Sequence, residues 1–123
     1  MSFINFNNIP HSKIWEGVHG ALHHSDTMTF GHIIIEEGAI VGEHHHIHEQ
    51  WTHVLEGELE FTLGGETQIL TSGFTAQIPS NVPHSAKALT RVKLIDCFMP
   101  VREDFKTIEP WTNPIEKPDL AAK

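Results

Sequence analysis

From Thr27 onward the apolar residues of this chain recur with a period of two, interrupted every few positions by Gly, Pro or acidic residues. Successive side chains on a strand point to opposite faces, so this alternation reads as half-buried β-strand. The pattern predicts strands over 27–35, 51–55, 58–63, 66–70, 74–78 and 91–98. Gly64-Gly65 separates two of them by two residues, which is a hairpin signal. Glu36-Glu37-Gly38, Glu56-Gly57, Pro79 and Pro100 stop the others. No stretch in 27–99 carries the 3.6-residue apolar period of a helix. Many short strands with Gly and Pro turns predict an all-β sandwich or barrel. Residues 1–26 are polar and mixed and predict at most an edge strand, packing on or extending the barrel. Pro110, Pro114 and Pro118 break up residues 100–123, which read as an extended C-terminal tail rather than a second domain.

A length of 123 residues implies one domain with one core. The formal net charge of -8 disfavours a nucleic-acid surface, which needs clustered Lys and Arg. Cys97 is the single cysteine, so no intrachain disulfide can form, which fits a reducing compartment. The first residues lack a basic stretch followed by an apolar run, and no apolar run approaches the roughly 20 residues of a membrane helix. The expectation is a soluble, cytoplasmic protein with no membrane partner.

Histidine changes the picture. His44, His45, His46, His48 and His53 crowd into one short segment, and His84 follows Pro79 and Pro83 further on. Neutral imidazole is the commonest side-chain metal ligand. On a strand His44 and His46 project the same way and His45 the other. Gln50 lies beyond a bend and offers an amide oxygen, while His84 is delivered to a strand start by its turn. Three imidazoles and one amide leave a coordination position open, as catalytic metal sites do. His48 is an alternative ligand or substrate contact. His11, His19, His23, His24 and His32 follow no pattern and read as structural. In 91–98, Val92, Leu94, Asp96 and Phe98 share the apolar face, so Asp96 is a carboxylate aimed at the interior, where it needs a partner or a function. Cys97 lies on the opposite face.

Gly38-x5-His44-x-His46-x3-Gln50-x6-Gly57 and Gly73-x5-Pro79-x-Asn81-x2-His84 resemble the two motifs of the cupins. The resemblance implies a single-domain double-stranded β-helix, or jelly-roll, barrel over 27–99, holding one divalent metal on His44, His46, residue 50 and His84. Zn²⁺ or Ni²⁺ would suit the site, with Fe, Mn or Cu as alternatives. Two positions depart from the pattern. Gln50 stands for the usual Glu, which removes a negative charge, and the adjacent Glu49 is the alternative ligand. Asn81 replaces a Gly, and Asn tolerates the positive φ the turn requires.

Asp96-x-Phe98-x3-Arg102, with His44-x-His46-Ile47-His48-Glu49-Gln50, is similar to the KdgF group of cupins, which linearise 4,5-unsaturated uronates from pectin or alginate breakdown. The resemblance implies a non-redox isomerase of carbohydrate metabolism acting on a small acidic sugar. Asp96 and Arg102 would be catalytic, with Asp96 as general acid/base. Phe98 and Arg102 would bind substrate, Arg102 through the uronate carboxylate. It also implies a homodimer formed through the outer sheet. The alternatives are a metal-dependent oxygenase and a non-catalytic module that binds a sugar acid.

Overall fold

The computed structural model describes residues 2–110. Ten strands form two antiparallel sheets: β1 (Ser12–Trp15), β2 (Val18–His24), β3 (Thr29–Ile35), β4 (Ile40–His44), β5 (Glu49–Glu56), β6 (Leu59–Leu63), β7 (Glu66–Leu70), β8 (Thr75–Ile78), β9 (His84–Ala88) and β10 (Val92–Met99). One sheet runs β1-β2-β3-β10-β5-β8 and the other β4-β9-β6-β7. The inward residues of both sheets make one core that includes Ile33, Ile35, Val54, Leu59, Ile78, Val92 and Leu94. Strand alternation explains this: in β10, Val92, Leu94 and Phe98 are buried while Lys93, Ile95 and Cys97 between them are partly exposed. The architecture is all-β, as the alternation predicts, and its two packed sheets form the jelly roll that the cupin resemblance implies.

The Gly64-Gly65 turn joins β6 to β7 in register, with Leu63 opposite Glu66. Both glycines have positive φ, 56° and 88°, as a twist-matched two-residue hairpin requires. Asn81 holds φ 65°, so the left-handed turn expected there is present. Its N–H donates to the His46 carbonyl at 2.7 Å, which ties the β8–β9 turn to the histidine segment.

Four segments differ from the alternation reading. Residues 12–24 form two strands, not one edge strand, and β2 is interior, paired to β1 and β3. Both β4 and β9 escape the pattern. In β4 the side chains are exposed or half-buried throughout, so no apolar alternation marks it. The stretch 103–106 is a short helix, α1 (Glu103–Lys106), where an extended tail was expected; its Phe105 is buried against the barrel. Trp111 and the rest of the expected tail lie outside the described residues. Among the described residues no helix is long and apolar enough to cross a membrane.

Candidate metal centre and its cavity

Strand pairing brings the distant histidines together. His44, the last residue of β4, is directly opposite His84, the first of β9. His46 arrives differently from the expectation: β4 ends at His44, and 45–48 is a loop that turns His46 back toward the pair. The ring centroids lie 4.3 Å (His44–His84), 4.9 Å (His46–His84) and 5.6 Å (His44–His46) apart. One ring nitrogen from each falls within 4.8 Å of the others, the one such group among the described residues.

The tautomers follow from the backbone. Nδ1 of His44 lies 2.8 Å from the Gly42 carbonyl, Nδ1 of His46 lies 3.0 Å from the His48 carbonyl, and Nδ1 of His84 lies 2.8 Å from the Val82 carbonyl. A carbonyl only accepts, so each Nδ1 carries the proton and each neutral ring presents an Nε2 lone pair. Metal-ligating imidazoles are held this way, by a hydrogen bond on the far nitrogen. Nε2 of His84 is buried with no hydrogen-bond partner among the described residues. Burial, chiefly, disfavours the charged ring: it lowers the pKa of His46 and brings that of His84 to about 4. Neutral, pre-oriented Nε2 donors fit a first-row divalent ion. The rings are supported from behind, Phe61 stacking on His84 at 6.2 Å between centroids and Trp15 meeting His44 edge-on at 5.5 Å.

Gln50 faces the same space. Its Oε1 lies 3.0 Å from Nε2 of His46, and both atoms are acceptors turned toward one another, a geometry that a shared cation satisfies. Glu49 points away, its carboxylate accepting from the Trp51 indole at 2.6 Å. Of the two residues considered for the fourth ligand, only Gln50 is turned inward with the histidines. His48 contributes its carbonyl to orient His46, and its ring packs edge-on at 6.5 Å from Phe98. His45 is exposed and His53 bonds Thr75 on the outer face.

The pairing of β5 with β10 sets Gln50 opposite Phe98 and Thr52 opposite Asp96. Asp96 Oδ1 accepts from Thr52 Oγ1 at 2.6 Å and from Gln50 Nε2 at 3.4 Å. Desolvation raises its pKa to about 6, against the opposing pull of those two donors and the Arg102 charge. His44, His84, Gln50, Asp96, Phe98 and Arg102 line one cavity, together with the rings of Trp15 and Phe105. His46 joins them through ring contacts with His84 and Phe98, so the candidates from motif spacing and alternation lie beside Phe98 and Arg102, the two residues added by the KdgF resemblance.

Arg102 is buried, and its guanidinium lies 3.8 Å from the Phe105 ring centroid and 4.8 Å from that of Phe98. The Arg102 backbone N–H donates to the buried Thr29 hydroxyl at 2.9 Å, which anchors the chain where it leaves β10. Nε and Nη2 are held side-on by Asp104 at 3.0 and 2.8 Å, a pairing the spacing did not foretell. Sequence reasoning also passed over Thr52, although its place two residues from Gln50 puts it on the same face. It gave no position for Trp15, which sits in a polar segment with no periodic signal.

The family profile described as a cupin domain matches residues 31–98. Quercetin 2,3-dioxygenase of Bacillus subtilis (strain 168) is 42% identical over 59 residues, 44% of this chain but only 17% of that protein's length. An RmlC-like cupin from Shewanella frigidimarina NCIMB 400 superposes with a TM-score of 0.80 at 30% identity, covering 85% of this chain and 96% of its own. KdgF from Halomonas sp. superposes with a TM-score of 0.80 at 27% identity, covering 85% of this chain and 98% of its own.

Proposed function

This chain belongs to the cupin domain family, and we propose that within it the protein is a metal-dependent isomerase that converts a cyclic 4,5-unsaturated uronate to its linear keto form. The observation that carries the proposal is one cavity lined by His44, His84 and Gln50 together with the interior carboxylate of Asp96. Arg102 in the same cavity and the likeness to KdgF support it. His44, His46, His84 and Gln50 would hold the ion. A bound divalent ion would polarise a substrate oxygen and stabilise negative charge developing there.

The reaction is an internal rearrangement with no redox change. The ring C1–O5 bond breaks while the C1 hydroxyl loses its proton, leaving an aldehyde at C1. O5 becomes the enol oxygen on C5. C4 then gains a proton and the enol O–H loses one, which gives the C5 ketone. Asp96 can take and return these protons, because its raised pKa keeps both forms accessible near neutrality. Arg102 binds the substrate carboxylate through the guanidinium edge that Asp104 does not use. Phe98 packs against the sugar ring.

The test is addition of metal-loaded protein to freshly released unsaturated uronate. The conjugated enoate absorbance should fall faster than it does spontaneously, and an unchanged rate overturns the assignment. A second reading, a metal-dependent oxygenase, is favoured by the segment shared with quercetin 2,3-dioxygenase. Oxygen uptake with a phenolic substrate, without enoate loss, would replace the first reading by this one. We also propose a homodimer that uses the outer face of the larger sheet, where Trp51, Leu55 and Met99 are exposed.

A further inference from the structure

Gln50 poses a problem that a carboxylate at the same place would not. Either oxygen of a carboxylate can face a metal, whereas an amide has one oxygen and one NH2 group, and a half-turn about the last bond exchanges them at almost no steric cost. An amide ligand therefore needs something to hold its oxygen inward. Within this barrel that task falls to two acceptors on the side away from the histidines. Gln50 Nε2 donates to Thr52 Oγ1 at 2.9 Å and, more weakly, to Asp96 Oδ1 at 3.4 Å. The Thr52 hydroxyl has a single proton, which it gives to Asp96 at 2.6 Å, so its oxygen is left to accept from the amide. Thr52 is 2% exposed, and no solvent competes for the hydroxyl. With the NH2 end committed to Thr52, Oε1 must face His46.

We infer that Thr52 is a positioning residue: its hydroxyl selects the amide orientation that presents the Gln50 oxygen to the metal, and it links that amide to Asp96. The inference rests on the metal reading of this site and not on the identity of the substrate. It also accounts for how a neutral residue occupies a ligand position that a symmetric carboxylate could fill unaided.

Thr52→Val keeps the shape and removes the hydroxyl, and Thr52→Ser keeps the hydroxyl. Both are titrated with Co²⁺, alone and in a Gln50→Glu background, and followed by affinity and by the visible absorption of the bound ion. Loss of an outer-shell partner typically costs metal sites 10–100-fold in affinity. Thr52→Val should weaken Co²⁺ binding about tenfold and alter its spectrum, and Thr52→Ser should restore both. In the Gln50→Glu background the orientation problem is gone, so Thr52→Val should cost less than about threefold, well below the outer-shell range. Equal losses in the two backgrounds would mean that the hydroxyl only supports packing, and would overturn the inference. So would wild-type affinity and spectrum in Thr52→Val, or failure of Thr52→Ser. A wild-type protein that takes up no cobalt overturns it together with the metal reading. Every readout is taken without uronate, so failure of the substrate assignment is a separate result.

Discussion

Replacing Asp96 by Asn separates proton transfer from everything else the carboxylate does. The exchange is isosteric. With its carbonyl oxygen at the Oδ1 position, Asn accepts from Thr52 and from Gln50 just as Asp96 does at 2.6 and 3.4 Å. The Gln50 amide keeps its orientation and the histidines are untouched, so the metal should stay bound at full stoichiometry. What is lost is the ability to take up and release a proton. A positioned acid/base contributes about 10²–10⁴-fold, equivalent to about 2.7–5.4 kcal/mol of barrier. The turnover number for enoate loss should fall within that range with KM changed little. Asp96→Ala provides the contrast. It leaves the Thr52 hydroxyl and the Gln50 amide short of an acceptor, at about 1–3 kcal/mol for each unsatisfied buried group, and should loosen the metal as well. Elemental analysis and steady-state kinetics on the two variants decide the matter. Loss of metal from Asp96→Asn would make Asp96 a ligand or a structural anchor, and near-wild-type turnover would remove it from the chemistry.

Three other outcomes follow from named contacts. Arg102→Lys loses the planar fork and its stacking on Phe98 and Phe105, so KM for the acidic substrate should rise at least about tenfold while metal content is unchanged; an unaltered KM would place the carboxylate elsewhere. His11 is buried beside His19, and burial first, then the positive charges of His19, Arg91 and His32, lowers its pKa to about 4. Between pH 6.5 and 4 the unfolded chain binds this proton and the folded chain does not, so stability falls as pH falls. The contribution of His11 between pH 7 and 5 is about 2 kcal/mol, which His11→Gln should remove from the pH dependence of urea unfolding; the same slope in that variant would refute the assignment. Light scattering should give twice the mass of one chain, with Trp51→Lys shifting the protein toward monomer, and a monomeric wild type would end the dimer proposal.

Much of this arrangement is legible in the sequence, for physical reasons that also mark where legibility stops. The two-residue period exposes β5, β6 and β10 because each buries one face, and Gly64-Gly65 announces the turn that leads into β7, a strand exposed along its length except at Leu70. The strand β4 buries no continuous face, and β2 mixes histidine and glycine with its apolar residues, so neither leaves an alternating trace. Ligand spacing identifies His44, His46 and His84 even though His46 reaches the site from a loop and not, as strand geometry suggested, from the strand itself. Alternation alone turns Asp96 inward. The hold of Asp104 on Arg102 depends on a helical turn after Pro100 that carries too few residues to show a period. Thr52 is concealed for a different reason: threonine is an ordinary strand residue, and only the hydrogen-bond directions around it reveal a task.

The central claim is that the oriented imidazoles and Gln50 hold an ion needed for uronate ring opening. It is tested most directly by stripping the protein with chelator, restoring Zn²⁺ or Ni²⁺ in measured steps, and recording enoate loss at each step. The account predicts a rate near the spontaneous one for stripped protein, rising in proportion to bound metal up to one ion per chain, and no recovery in His84→Ala. Full activity in stripped protein, or metal uptake at one ion per chain with no gain in rate, would contradict it.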